Sequence, residues 1–120
     1  MTAAEARQRI TYGAIYEYRR GVAPWFVYVA ECADGSLYTG IARDVAARIA
    51  AHDAGRGAKY TRGRGPLRLL ATRRCRSEGN ALRLERAVKA LSREQKRALV
   101  ASVDAFRALA RRVGRGASRR

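Results

Sequence analysis

Arg48 and His52 stand four residues apart. On a helix that spacing stacks both side chains on one flank, so a guanidinium and an imidazole can act on one point in space. Upstream lie two phenols, Tyr28 and Tyr38, on either side of Asp34-Gly35. Downstream, the run from Gly55 to Pro66 sets Arg56, Lys59, Arg62 and Arg64 among four glycines, with Tyr60 and Thr61 between them. Glycines let backbone amides approach a phosphate, the cations neutralise it, and a tyrosine can stack on a base. A plain solvated connection is the alternative reading of that run. Glu85 is one of only two acids between Asp53 and Glu94, and it sits amid Arg83, Arg86 and Lys89. Alone, such a glutamate reads as a surface ion-pair partner.

The elements that position these groups follow from the pattern. Trp25-Phe-Val-Tyr-Val-Ala and Leu37-Tyr-Thr-Gly are apolar, rich in β-branched and aromatic residues, and flank a strong turn signal. They predict two antiparallel strands, roughly 25–32 and 36–41. A two-residue turn at Asp34-Gly35 would send the two phenols to opposite faces of the hairpin. A three-residue loop, Ala33-Asp34-Gly35 closed by a left-handed glycine, would place Tyr28 opposite Gly40 and Tyr38 opposite Ala30, all on one face. We expect the odd loop, and with it an open floor under the hydroxyls beside two tiny residues.

Asp44 is a helix N-cap candidate, and residues 45–54 predict a short helix closed by Gly55, buried along Val45 and Ile49. Leu67 to Cys75 predicts a third strand. Ser77 can cap a helix to about Leu91 with the stripe Leu84, Val88 and Leu91. Ser92-Arg-Glu-Gln95 has the form of a capping box opening another helix, and a last one is expected over about 103–113. The expected organisation is an N-terminal extension over 1–24, partly helical, a domain over 25–101, and a C-terminal helix with a disordered basic tail over 102–120.

One hundred and twenty residues make a single domain of modest core. The net charge of +16 makes the folded chain repel itself, so a polyanionic partner is expected, with nucleic acid ahead of an anionic membrane surface. Half of that charge lies between Arg43 and Arg76, where ten basic residues face two acids. Two cysteines, Cys32 and Cys75, with one histidine and no CxxC, cannot build a zinc site of the usual kind and read as buried free thiols. Without a long apolar run or the apolar core of a signal peptide, the chain is expected to be cytoplasmic.

Val27-Tyr28-Val29, followed ten residues after Tyr28 by Tyr38-Thr39-Gly40, resembles the paired signature of the GIY-YIG nucleases, with Val-Tyr-Val for Gly-Ile-Tyr. Arg48 and His52 fall ten and fourteen residues after Tyr38, and Glu85 lies on a helix after the third strand, as the family pattern has them. The resemblance to its small stand-alone bacterial members covers roughly residues 25–100. It implies an α+β fold with a small three-stranded antiparallel sheet flanked by helices, and a metal-dependent DNA endonuclease with catalytic residues Tyr28, Tyr38, Arg48, His52 and Glu85. Glu85 would hold one Mg²⁺ or Mn²⁺, Arg48 would clamp the scissile phosphate, and Tyr28 would orient or deprotonate the attacking water. A nearby cation would have to lower the phenol's pKa from about 10 for that role, with His52 and Tyr38 polarising it. Many members carry an asparagine after the glutamate, whereas Asn80, the asparagine of this chain, precedes it.

Arg43, Arg56, Lys59, Tyr60, Arg62 and Arg64 are the expected nucleic-acid contacts, on DNA or alternatively RNA. Recognition through a basic loop and tail implies little sequence specificity, with a preference for branched, damaged or single-stranded substrates. A two-metal nuclease needs several converging carboxylates, and the chain offers only Glu85 in the right region. The competing expectation is a binding protein that keeps the fold without the chemistry.

Overall fold

The computed structural model describes residues 24–118, with side chains to residue 114; of the extension expected over residues 1–24, residues 1–23 lie outside the described residues. The described elements are strands β1 (Trp25–Glu31) and β2 (Leu37–Ala42), helix α1 (Val45–Asp53), a 3₁₀ turn (Lys59–Thr61), strand β3 (Arg68–Cys75), and helices α2 (Glu78–Lys89), α3 (Arg93–Val100) and α4 (Val103–Ser118). The sheet is antiparallel with order β2-β1-β3, as expected.

β1 is central and covered on both faces, which is why it reads as a near-continuous apolar run instead of an alternating one. Its odd and even residues serve different cores. Phe26, Tyr28 and Ala30 pack with Ala42, Val45 and Leu67 on the side that carries α1. Val27 and Val29 pack under α2, α3 and α4 against Leu84, Val88, Leu99, Phe106 and Leu109. Burying each of these valines contributes about 1.5–3 kcal/mol. Among the described residues the heavier core therefore lies on the three-helix face, and the opposite face is covered by one short helix and a loop.

The hairpin loop has the odd length. Cys32 N–H donates to Ser36 O at 2.8 Å and Gly35 N–H to Cys32 O at 2.9 Å, while Gly35 takes φ +84°. That positive φ is the left-handed residue the three-residue loop requires. Arg93 and Arg97 of α3 both donate to the Gly35 carbonyl, at 3.1 and 2.9 Å, so the hairpin tip is tied to the helical layer. Arg97 also joins Arg68 on Glu31, each 2.7 Å away.

Asp44 and Ser77 cap their helices as expected, and Ser92 forms the full capping box with Gln95. The C-terminus departs from expectation. α4 continues through Gly114 and Gly116 to Ser118, where a disordered tail was expected. Glycine costs a helix about 1 kcal/mol each, a local penalty that an established amphipathic helix docked through Phe106 and Leu109 can carry. Cys32 is buried as expected, but Cys75 is only partly so, because β3 is an edge strand; both thiols are free.

Candidate active site

The register pairs Tyr28 with Gly40 and Ala30 with Tyr38. Both phenols therefore rise from one face, with ring centroids 6.1 Å apart. The expected open floor is absent. A Cβ on Gly40 would come within 2.7 Å of the Tyr28 hydroxyl and 3.0 Å of the Tyr38 ring. The rings themselves have settled into the space the glycine leaves, and Tyr28 is completely buried.

Helix α1 lies over this pair. His52, one turn beyond Arg48, is only 3% exposed and places Nε2 at 3.1 Å from the Tyr28 hydroxyl. Its ring also meets Tyr38 edge-on, at 5.0 Å between centroids. On the far side of the imidazole, Thr61 Oγ1 lies 2.6 Å from Nδ1, and the Ala58 backbone N–H points at the same nitrogen from 3.3 Å. The Thr61 hydroxyl also donates to the Ala58 carbonyl at 2.9 Å, so the imidazole, Thr61 and the Ala58 peptide form one closed network that fixes the orientation of the ring. His52 Nε2 is thereby held against the Tyr28 hydroxyl, whose other neighbour is Tyr38.

The glycine-rich run is built onto the site, so the reading of a merely solvated connection fails. Thr61 is 1% exposed, Ala33 N–H donates to Arg64 O at 2.7 Å, and Leu67 N–H donates to Asp53 at 2.8 Å. Gly57 passes so close to the imidazole that a Cβ there would sit 1.9 Å from His52 Nδ1. Tyr60 stacks on Tyr38 at 6.0 Å and in turn carries the Arg64 guanidinium 4.3 Å from its ring centre. Arg64 also pairs with Asp34 at 3.3 Å. Among the expected phosphate contacts, Arg56, Lys59 and Arg62 are exposed, whereas Arg64 is committed to the hairpin, and Arg43 lies over Trp25 at 4.9 Å.

Electrostatics separates the two phenols. Burial, reinforced by Tyr38, pushes the Tyr28 hydroxyl far above the ordinary range, and the Arg48 charge beside it offsets only part of this. The expectation that a cation would depress Tyr28 is thus overturned by desolvation. Tyr38, half-buried, is also raised by burial, with Glu85 adding to the rise, but Arg48 and the Tyr28 hydroxyl both favour its anion. His52 is pushed down by burial and by Arg48, which keeps its imidazole neutral.

Glu85 stands on α2, across the sheet from α1, yet its charge reaches Tyr38. Its side chain is 16% exposed and 3.6 Å from Lys89 Nζ, a loose contact that leaves carboxylate lone pairs for another cation. Among the described residues no group of three or more histidine, cysteine or acidic side chains could converge on a metal. One carboxylate fits a hard divalent ion that keeps most of its waters.

Tyr28, Tyr38, Arg48 and His52 therefore come together, with Glu85 at their margin. Thr61 and Gly57 were not singled out from the sequence. Their weak signal is position alone, nine and five residues after the histidine within a loop otherwise made of cations and glycines.

A profile of the GIY-YIG catalytic domain matches residues 24–98. The UPF0213 protein Reut_B5558 of Cupriavidus pinatubonensis is 50% identical over 80 residues, covering 67% of this chain and 89% of its own length. The UPF0213 protein BH0048 of Halalkalibacterium halodurans is 56% identical over 75 residues, 62% of this chain and 80% of its own. A solution NMR structure of the UPF0213 protein BH0048 from Bacillus halodurans shares 54% identity, covers 65% of this chain and 83% of that chain, and has a TM-score of 0.44.

Proposed function

The chain belongs to the GIY-YIG catalytic domain family, and on that premise we propose that it is an endonuclease that hydrolyses phosphodiester bonds in DNA with one divalent metal ion. The observation that carries this reading is the convergence of Tyr28, Tyr38 and His52 under α1, with Arg48 beside both phenols.

Phosphodiester hydrolysis needs a base for the water, neutralisation of the charge that builds on phosphorus, and help for the leaving oxygen. Tyr38, the phenol with solvent access, takes the water proton, in the role expected of Tyr28. Tyr28 hydrogen-bonds the Tyr38 phenolate that accepts this proton and becomes neutral, and His52 Nε2 holds the Tyr28 hydroxyl from behind. Arg48, exposed beside both hydroxyls, clamps the scissile phosphate. Nucleases of this family generally use divalent metal ions; Glu85 would hold Mg²⁺ or Mn²⁺, which when bound stabilises negative charge on the phosphate and leaving oxygen.

Arg56, Lys59 and Arg62 line the loop beside this cluster and supply phosphate contacts, which position a strand without reading its bases. Low sequence specificity follows, with branched, damaged or single-stranded DNA as the preferred substrates. Two free thiols suit a reducing compartment such as the cytoplasm. No described helix is long and apolar enough to cross a membrane.

The test is nicking of a panel of DNA structures with Mg²⁺, Mn²⁺ or EDTA. Glu85→Ala should lower cleavage at least about a hundredfold while melting within about 1 kcal/mol of the parent. Undiminished cleavage by the variant rejects the metal assignment. A parent that binds the panel without cutting any member points to a binding protein.

A further inference from the structure

The sheet's other face carries a cavity that the candidate active site does not use. The end of β3, the first turn of α2 and the last described turns of α4 enclose about 470 Å³. Arg73, Arg76, Arg111 and Asn80 line it, Leu84 and Val113 give it an apolar wall, and among the described residues none of its lining is acidic. Arg73 pairs in register with Val27, which belongs to the core under α2. Its side chain therefore leaves the sheet on the side away from the tyrosines.

Three observations point to an anionic occupant. Arg73 Nε is buried and has no hydrogen-bond partner, the one such side-chain atom among the described residues. A buried donor on a cation is costly to leave unpaired, so a turn of the Arg73 side chain, which lines the cavity, toward an acceptor oxygen there is favoured. Arg76 and Arg111 are exposed at the rim and form no ion pair among the described residues. Asn80, whose side-chain oxygen is taken by Arg83, still offers its amide hydrogens.

We propose that this cavity is a second phosphate site, taking a phosphate of a nucleotide in a nucleic-acid strand, with the sugar or base against Leu84 and Val113. Guanidinium groups match phosphate oxygens in bidentate fashion, and the volume falls in the range of small-molecule pockets. Arg73 leaves the sheet on the side away from Tyr28 and Tyr38, so this site is distinct from the tyrosine cluster. The same phosphate chemistry could come from free inorganic phosphate, which the experiment separates.

Isotope-labelled full-length protein is titrated with inorganic phosphate, with deoxyadenosine monophosphate and with a short single-stranded oligodeoxynucleotide. NMR follows the Arg73 Nε–H and the backbone amides of Asn80 and Ala110. Saturable shifts at these positions are expected with both nucleotide probes, tighter by at least tenfold for the oligonucleotide than for inorganic phosphate. Arg76→Glu with Arg111→Glu, both at exposed positions that folding does not depend on, should weaken them at least tenfold. Lys96→Glu with Arg107→Glu, an equal charge change away from the cavity, should leave them in place. Shifts that never saturate, or that survive Arg76→Glu with Arg111→Glu, overturn the site. Inorganic phosphate binding as tightly as the oligonucleotide overturns the assignment to a strand.

Discussion

Thr61 is the residue through which the loop acts on the chemistry. It touches neither phenol, yet its hydroxyl and the Ala58 N–H hold His52 Nδ1 and so fix which nitrogen faces Tyr28. Removing one of the two hydrogen-bond partners of a buried ring nitrogen costs about 1 kcal/mol, while the imidazole gains freedom to turn. Thr61→Val should therefore cut cleavage by about tenfold and restore less of it at high pH than the parent shows. With Tyr38 raised above its ordinary value of 10.0, the parent rate should still be climbing with pH at that value. Thr61→Val should displace this limb upward and Thr61→Ser should bring it back; a pH–rate profile of the three proteins checks it. A purely structural threonine would lower the rate without moving the limb.

At the scale of elements, the Gly55–Pro66 loop combines two tasks that its composition does not distinguish. Its inner residues, Gly57 and Thr61, brace the histidine, while Arg56, Lys59 and Arg62 face solvent. Neutralising Arg56 and Lys59 together should weaken DNA binding and lower the magnitude of the salt slope by roughly two, one for each phosphate left without its cation. Arg64→Ala should behave differently, since that side chain is tied to Asp34 and Tyr60; it should loosen the loop while leaving the salt slope nearly unchanged. Fluorescence anisotropy across a salt series separates these outcomes. Equal slopes for all variants would mean that the outward cations do not touch the backbone of the substrate.

Across the whole molecule, the buried histidine links stability to pH. Burial and Arg48 depress the His52 pKa below its ordinary 6.5, so the unfolded chain binds that proton before the folded one does. The stabilisation is therefore complete above about pH 6.5 and is lost as pH falls through the folded value. Urea midpoints should drop between pH 7.5 and 5, and His52→Gln should flatten that part of the curve. Glu31 adds a separate window. Hydrogen bonds from Arg68 and Arg97 depress its carboxyl below 4.5, so its contribution fades only on further acidification.

Much of this protein was legible in its sequence because the signals are local. Apolar runs around Asp34-Gly35 specified the hairpin and its odd loop, while Asp44, Ser77 and Ser92 marked three helix starts, since turns and caps depend on neighbours a few residues away. The i to i+4 spacing of Arg48 and His52 likewise put them on one helical flank. What the sequence could not determine was depth. That Tyr28 is sealed and Tyr38 half-open depends on α1, Gly40 and Tyr60 meeting over the sheet, and that meeting joins residues far apart in the chain. The bracing of His52 by Thr61, the cavity at Arg73 and the helical continuation through Gly114 have the same origin. Burial, desolvation and the direction of a side chain in space are properties of packing, and packing exists only once the chain has folded.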